Sequence, residues 1–337
     1  MTLFSNEIFT FSQKLTHHNH IVIVPHKDPD GDAIGSALAW CNVLLAKGFA
    51  VDVISPNEVP GSLRWMNQSE TIIDFTKSGE VAKAKIAKAE ILLFLDFNSL
   101  PRTGKMVDAL TNSQAFRVMI DHHPFPDENV VNVLISDTAV SSTCELTYKV
   151  MVAMGLVPDK HASECLYAGI MTDTGMLNHN SSNPELYHII AHLLEAGIDK
   201  EMVHREVFHS NSLSRMRLLG HALCNELDVL TSGKVSLIAL SAEELAKFSY
   251  KPGDTEGLVN YPLSIDGIEV SALITEKDKG LVKISLRSRG DISVNKYSEK
   301  YFSGGGHRNA AGGEYKGDIS KAVEIFKQTV ESYFGWK

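Results

Sequence analysis

The stretch Pro25-His26-Lys27-Asp28-Pro29-Asp30-Gly31-Asp32-Ala33-Ile34-Gly35-Ser36 decides how this chain is read. It follows an apolar run at 21–24, the pattern of a buried strand, and precedes a segment with helical periodicity. It therefore sits at the carboxyl end of a strand, where α/β folds place their chemistry. Within seven residues it offers a histidine and three aspartates, and Pro29 and Gly31 force a sharp turn that can aim His26, Asp30 and Asp32 at one point. Carboxylates that close repel one another and do not all stay ionised without a partner; the natural partner is a divalent cation. The alternative is an ordinary solvated Asp/Gly/Pro turn, and the rest of the chain decides between the two.

Outward from that turn the pattern repeats. Residues 33–47 run helical, with Ile34, Leu38, Cys41 and Leu45 on one face and Gly48 as a stop, and 51–54 is the next strand. Strand, turn, helix and strand in that order make a βαβ unit and predict a parallel sheet. The apolar run 91–95 ends in Asp96, and 117–120 ends in Asp121-His122-His123. Interior strands that stop at acidic or imidazole side chains bring those groups to one edge of a parallel sheet. Residues 3–16 read as an amphipathic helix on Phe4, Ile8, Phe11 and Leu15, 56–70 as irregular, and 80–89 as an exposed helix. Further on, 141–154 reads as a helix capped by Ser141 or Ser142. An apolar helix at 162–171 runs into Thr172-Asp173-Thr174-Gly175, and Gly197 closes a helix at 184–196.

The stretch from 199 to 228 reads as helical, without a strand. Beyond it, 235–240, 268–275 and 281–286 look like strands, and a helix at 318–333 follows the glycine-rich run Gly304-Gly305-Gly306-His307-Arg308-Asn309-Ala310-Ala311-Gly312-Gly313. The expected fold class is α/β. A mainly parallel sheet flanked by helices occupies 1–197, a helical connector 198–228, and a smaller α+β domain 229–337.

Composition narrows the function classes. At 337 residues, 44% apolar and 22% charged, the chain has the balance of a globular enzyme. No apolar run approaches the roughly 18 residues of a membrane span. The N-terminus lacks the basic start, apolar middle and cleavage site of a signal peptide, so the expected location is cytoplasmic, with no membrane partner. Cys41, Cys144, Cys165 and Cys224 form no Cys-x-x-Cys pair and read as buried free thiols in a reducing compartment. The net charge of −9 argues against coating a long nucleic acid and leaves room for a short anionic substrate.

The candidate metal ligands are His26, Asp30, Asp32, Asp96, Asp121, His122, His123 and Asp173. Mixed oxygen and imidazole donors suit manganese, iron or zinc, whereas magnesium favours oxygen and water. So many donors exceed the needs of one ion and suit two ions about 3.5–4 Å apart, with a water between them that loses its proton near neutral pH. Each has a plainer alternative: a lone strand-end aspartate such as Asp96 or Asp173 is more often a cap or loop carboxylate. The Asp-His-His triplet has little structural use, whereas His17-His18 lacks nearby carboxylates and reads as surface.

PHKDPDGDAIGS, Asp96 after ILLFL, Asp121-His122-His123, GIMTDTG and GGGHRNAAGG resemble, in order, the motifs of the DHH phosphoesterase family, which includes the RecJ exonucleases and manganese pyrophosphatases. The match covers nearly the whole chain. Its length is most similar to the short-oligonucleotide nanoRNases that also act on pAp. The resemblance implies two Mn2+ ions, with Mg2+ or another divalent cation in their place as the alternative. It implies His26, Asp30 and Asp96 on the first, and Asp32, Asp96, His122 and Asp173 on the second, with Asp96 bridging. It further implies that Asp121 orients His122 and that His123 contacts the scissile phosphate. Asp28 matches no family position, and Arg102 in PRTG resembles an Arg-x-Gly element that reaches the substrate.

The glycine run has a reading of its own. Glycines let backbone N–H groups approach phosphate oxygens and adopt positive φ without strain. Gly304, Gly305, Gly306, His307 and Arg308 are therefore candidate substrate contacts, with Arg287 and Arg289 adding guanidinium groups. A tight loop with structural glycines is the alternative. The leading expectation is release of 5′-mononucleotides from short oligonucleotides and of the 3′-phosphate from pAp, with the two domains gripping the substrate across a cleft. Hydrolysis of linear or cyclic dinucleotides is the second enzymatic reading. Pyrophosphate hydrolysis fits less well, because that branch lacks the GGGH run. A non-catalytic nucleotide-binding regulator would have lost a ligand, and none is lost. A homodimer is left open.

Overall fold

The apolar run that precedes the acidic turn lies at the centre of a parallel sheet in the computed structural model, which describes residues 4–16, 19–209, 211–278 and 280–336. The chain divides into two units, 1–210 and 211–337. In the first, the elements run α1 Ser5–Lys14, β1 His20–Val24, α2 Gly31–Ala46, β2 Ala50–Ser55, β3 Ile73–Asp74, α3 Gly79–Lys88, β4 Ile91–Leu95, α4 Val107–Asn112, β5 Phe116–Asp121, β6 Val133–Ser136, α5 Thr143–Ala153, α6 Lys160–Asp173, α7 Pro184–Glu195 and α8 Lys200–Phe208. The sheet order is β3-β2-β1-β4-β5-β6, and every pairing is parallel.

The strand sequences follow from burial on both faces. Ile21, Ile23, Leu93 and Ile120 enter the core shared with α2, α5 and α6, while Val22, Val24, Leu92, Phe94 and Met119 enter the core on the opposite face. A strand covered on both sides reads as a continuous apolar run rather than an alternation. From β1 the chain winds to β2 and β3 on one side and then crosses to β4 on the other. The carboxyl ends of β1 and β4 therefore flank the topological switch point, where open α/β sheets bind ligands.

The expected strands at 21–24, 51–54, 91–95 and 117–120 are present, as are the helices at 33–47, 80–89 and 184–196, within a few residues at their ends. Ser142 is the cap of α5, accepting from Glu145 N at 3.0 Å. Asp173 is the last residue of α6 rather than a residue beyond a shorter helix. The pair His17-His18 lies outside the described residues. Among those described, no helix is long and apolar enough to cross a membrane.

The second unit comprises α9 Leu213–Cys224, β7 Leu227–Val229, β8 Val235–Leu240, α10 Ala242–Lys247, β9 Val270–Asp278, β10 Leu281–Ser288, α11 Val294–Phe302, β11 Gly305–His307, β12 Ala310–Lys316 and α12 Ile319–Tyr333. Its sheet, ordered β11-β12-β10-β9-β8-β7, is antiparallel except for the parallel β8/β9 pair. The stretch expected as a strand-free helical connector is divided. Val203 of α8 packs into the first unit's core, Leu218 and Ala222 of α9 pack into the second's, and β7 is a short edge strand. With only three residues, mostly exposed, β7 carries no burial pattern to read. Cys224 is exposed, against the expectation for all four cysteines; Cys41, Cys144 and Cys165 are buried, and all are free thiols.

The glycine-rich run is a hairpin, not a loop: Gly305 pairs with Gly312, Gly306 with Ala311 and His307 with Ala310. Its glycines answer different needs. A Cβ on Gly304 would lie 2.0 Å from the Gly312 carbonyl oxygen and 2.2 Å from Ser298 Oγ, and one on Gly313 would lie 2.7 Å from the Phe302 carbonyl oxygen. Helix α11 therefore packs backbone-close against the hairpin. Within this run positive φ occurs at Gly306, at 128°. A Cβ on Gly305 would meet nothing within 4 Å.

Candidate metal centre

The turn after β1 gives each of its carboxylates a different task. Asp30 caps α2, its Oδ1 accepting from Asp32 N and Ala33 N at 3.1 Å each, while its Oδ2 lies 3.8 Å from His26 Nε2. One end of the carboxylate caps the helix and the other faces His26. Asp28, at φ 54°, is tied sideways to Asn57, whose Oδ1 accepts from Asp28 N at 2.7 Å, and stands in none of the His/Asp clusters of this site. His26 Nδ1 lies 2.8 Å from the Lys27 carbonyl oxygen, which can only accept. The proton therefore sits on Nδ1, and Nε2 is left as a donor atom for an ion.

Asp32 is fully buried in the first turn of α2. Its Oδ2 accepts from Thr143 N at 2.7 Å and its Oδ1 from Cys144 N at 2.8 Å, both at the start of α5, where the helix dipole favours negative charge. Asp96 follows β4 at φ 66°, a left-handed conformation that aspartate tolerates better than most side chains. Its Oδ1 accepts from Thr143 Oγ1 at 2.9 Å. Thr143 thus holds two carboxylates at once, one through its backbone and one through its hydroxyl.

These elements converge because the helices touch backbone to backbone. A Cβ on Gly35 of α2 would lie 2.5 Å from the Cys165 carbonyl oxygen of α6, and one on Gly169 of α6 would lie 2.2 Å from Cys144 Sγ and 3.1 Å from Asp32 Cα. A larger residue at Gly35 parts α2 from α6, and one at Gly169 either displaces the Cys144 sulfur or parts α6 from α5; these helices carry Asp32, Thr143 and Asp173.

The donors form two groups that share Asp96. His26, Asp30 and Asp96 make one; Asp32, Asp96 and His122 make the other; in each, one donor atom per residue lies within 4.8 Å of the rest. Asp173 joins the second group through Oδ2, 3.4 Å from His122 Nε2. His26 Nε2 is 3.4 Å from Asp96 Oδ2, and His122 Nε2 is 3.6 Å from Asp96 Oδ1 and 3.8 Å from Asp32 Oδ2. The positions expected from the sequence to face a metal, His26, Asp30, Asp32, Asp96, His122 and Asp173, therefore lie close together.

Asp121 behaves differently from expectation. Its Oδ1 lies 2.7 Å from Nδ1 of His123, so it orients His123 and not His122. In extended chain, residues two apart share a face, which puts Asp121 beside His123 and turns His122 to the other side. Sequence reasoning also missed Thr143, whose reach to Asp32 spans 111 residues, and Asn98, whose amide donates to the Pro124 carbonyl at 2.8 Å.

The electrostatics describe a cluster short of positive charge. Burial pushes the Asp32 carboxyl well above the usual carboxylate range, and the charges of Asp96 and Asp173 push it the same way. Burial also opposes charge on Asp96, but the hydrogen bond with His26 and the fields of His123 and His122 outweigh it and hold this carboxyl well below its usual range. Burial would depress His26, yet the hydrogen bond to Asp96 and the charges of Asp30 and Asp96 raise it above its ordinary value, with Arg102 pulling the other way. The donor set, carboxylates with imidazoles whose Nε2 atoms face them, fits divalent cations.

Of the expected substrate contacts, Arg102 belongs to the first unit: its carbonyl accepts from Lys27 N at 2.8 Å, and its charge acts on His26. In the second unit Arg308 pairs with Asp291 at 2.7 Å, Arg287 Nη1 donates to its neighbour's carbonyl, and Arg289 donates to the Leu263 carbonyl. Gly305, Gly306 and His307 lie on the sheet's edge strand.

Residues 20–170 match the DHH family N-terminal domain, and residues 234–334 match the DHHA1 domain. The chain is 41% identical to an exopolyphosphatase-related protein from Bacteroides fragilis of known crystal structure, with 97% of this chain and 96% of that one covered and a TM-score of 0.91. It is 29% identical to the bifunctional oligoribonuclease and PAP phosphatase NrnA of Thermus thermophilus, over 92% of this chain and 89% of that protein. It is 25% identical to the cyclic-di-AMP phosphodiesterase GdpP of Bacillus subtilis, over 95% of this chain but 49% of that protein.

Proposed function

Because the chain belongs to the DHH family of hydrolases, with a DHH domain followed by a DHHA1 domain, we propose that it is a two-metal phosphoesterase that releases 5′-mononucleotides from short oligonucleotides and the 3′-phosphate from pAp. The observation that carries this reading is the pair of His/Asp groups joined through Asp96 at the carboxyl ends of β1, β4 and β5. Likeness to the oligoribonuclease and PAP phosphatase of Thermus thermophilus over nearly its full length supports the substrate class.

In this reading His26, Asp30 and Asp96 hold one divalent ion, and Asp32, Asp96, His122 and Asp173 hold the other, with manganese favoured by the mixed donors. Such ions neutralise phosphoryl oxygens and lower the pKa of water. The protein supplies the rest. Thr143 and the start of α5 fix Asp32 and Asp96, and close helix packing sets their spacing. Asp121 keeps the His123 proton on Nδ1, so the Nε2 end of His123 is the one that exchanges a proton with an oxygen of the substrate.

Arg102, Arg287, Gly304, Gly305, Gly306, His307 and Arg308 are the proposed substrate contacts. Their contributions differ. Gly304 is required by packing, whereas Gly305 leaves backbone open on an edge strand. Taking Arg308 to a phosphate would give up an exposed ion pair with Asp291, worth about 0–1 kcal/mol, and its donations to the Asp291 carbonyl, which the phosphate oxygens would replace.

Hydrolysis of pAp, a linear dinucleotide, a cyclic dinucleotide and pyrophosphate by metal-stripped protein, with and without Mn2+, tests the reading. Manganese-dependent release of mononucleotide and of phosphate from pAp is expected. Cleavage of none of them removes the enzyme reading. Likeness to the GdpP phosphodiesterase favours a second reading, cleavage of cyclic dinucleotides, and preferential turnover of that substrate would replace the first.

A further inference from the structure

One aromatic ring just beyond the Asp-His-His triplet in sequence is left unburied by the fold. Phe125, two residues after His123, is 87% exposed, the most exposed large apolar side chain among the described residues. Its φ is 59°, a left-handed conformation that bulky residues rarely adopt. It stands between Pro124 and Pro126, and the residue before a proline is normally pushed toward extended backbone. The loop is nonetheless held. Asn98 donates from its amide to the Pro124 carbonyl at 2.8 Å, and its own carbonyl accepts from Asp127 N at 2.8 Å, so both sides of Phe125 are fastened to one residue. Asn98 in turn lies two residues past Asp96. The ring is thus carried by a short, clamped loop between the segment of Asp96 and that of His122 and His123.

A strained, rigid backbone that presents a ring to solvent gains nothing for stability, and strain of this kind collects at sites that use it. In a nucleotide the base lies one sugar away from the phosphate, and every base offers a π-face that stacks on an aromatic side chain whatever its sequence. We propose that Phe125 is the platform on which a base of the substrate stacks while its phosphate lies at the metal centre. This rests on the nucleotide reading above and adds a specificity-determining residue to it: the enzyme would grip a base by its face, without choosing among bases.

The test is calorimetric binding of AMP and of ribose 5-phosphate to the full chain with Mn2+ present, for the wild type, Phe125→Ala and Phe125→Trp. Base stacking corresponds to a change of about 5- to 150-fold in affinity. The wild type is expected to bind AMP more tightly than ribose 5-phosphate. Phe125→Ala should lose at least 5-fold for AMP with ribose 5-phosphate unchanged, and Phe125→Trp should retain AMP and add a fluorescence quench absent from the wild type. Equal AMP affinity in wild type and Phe125→Ala, a loss shared equally by both ligands, or no AMP binding by the wild type overturns the proposal. Oligonucleotide turnover separates the two readings. Normal kcat/KM for a dinucleotide in Phe125→Ala overturns the platform and leaves the phosphoesterase. A Phe125-dependent preference for AMP in a protein that cleaves no oligonucleotide keeps the platform and overturns the substrate.

Discussion

Replacing Gly169 by alanine tests whether close helix packing sets the geometry of the centre. The new methyl would lie 2.2 Å from Cys144 Sγ and 3.1 Å from both Cα and Oδ1 of Asp32. Such contacts relax near about 3.5–4.0 Å, so either α5 and α6 part by more than about 1 Å or the sulfur turns away. Neither is free, because Cys144 is fully buried and its Sγ lies 3.5 Å from the Asp32 carbonyl oxygen. Overpacking costs about 1–3 kcal/mol, and the better helix propensity of alanine returns roughly 1 kcal/mol. A net loss of about 0–2 kcal/mol is expected for Gly169→Ala. Cys144→Ala empties the same space from the other side and should lose about 1–2 kcal/mol. If the two effects were independent they would add to about 1–4 kcal/mol. Because the methyl fills the place of the sulfur, the double variant should instead lose only about 0–1 kcal/mol, a coupling of roughly 1–3 kcal/mol. A displacement of 1 Å at a catalytic group costs roughly 100-fold. Turnover of Gly169→Ala should fall by about that factor, and the double variant should recover most of it. Urea unfolding followed by circular dichroism, together with dinucleotide turnover, reads both quantities. Additive stability losses, or full activity in the destabilised Gly169→Ala protein, would refute the reasoning.

Three further outcomes follow from the geometry. A cation at 100 times its dissociation constant stabilises the protein by about 2.7 kcal/mol, so Mn2+ should raise Tm by roughly 5–10 °C; Asp96→Ala should abolish that rise and Asp28→Ala should keep it, and a full shift in Asp96→Ala denies Asp96 its place between the ions. Thr143→Val removes the hydroxyl that holds Asp96 and should lower turnover about 10- to 100-fold; Thr143→Ser should restore most of it, and an equal loss in both variants assigns the effect to packing instead. Gly304→Ala should destabilise the second unit by about 2–3 kcal/mol in thermal or urea unfolding. Gly305→Ala, where a Cβ meets nothing, should stay within about 0.5 kcal/mol of the wild type, and the same cost at both positions would contradict the packing of α11 on the hairpin.

The proposed ligands were legible because parallel strands advertise themselves twice. Continuous apolar runs marked β1, β4 and β5 as doubly covered, and the residue that ended each run was polar when an interior strand had no structural need for it. His26, Asp96 and His122 could be assigned to one sheet edge on that basis alone. What escaped was whatever depends on contacts distant in sequence or on a side chain's facing. Thr143 reads as an ordinary residue at a helix start, and nothing local points to Asp32, more than a hundred residues away. Asp121 pairs with His123 and not with the His122 that the family resemblance implies, because extended chain alternates faces every second residue and a motif carried over in sequence does not report which side chain lies beside which. The hairpin at 305–316 was missed for a third reason. Glycines carry no alternating side chains, so β11 and the first turns of β12 leave no periodicity to read, and the run looks like a loop.

The bonds from Thr143 N and Cys144 N to Asp32 cross 111 and 112 residues of chain. Contacts that close such long loops form late, after the entropy of bringing their ends together has been met by the sheet and helices between them. During synthesis the acidic turn emerges early, and every segment up to α5 must be made before Asp32 acquires its donors. A chain interrupted before residue 144 would carry the signature motif in full and still lack the arrangement that gives it affinity. On the proposed assignment, binding of a divalent ion at the second group would therefore be a readout of a completed first unit, and a pulse of metal during refolding would time a late step of its assembly rather than the first.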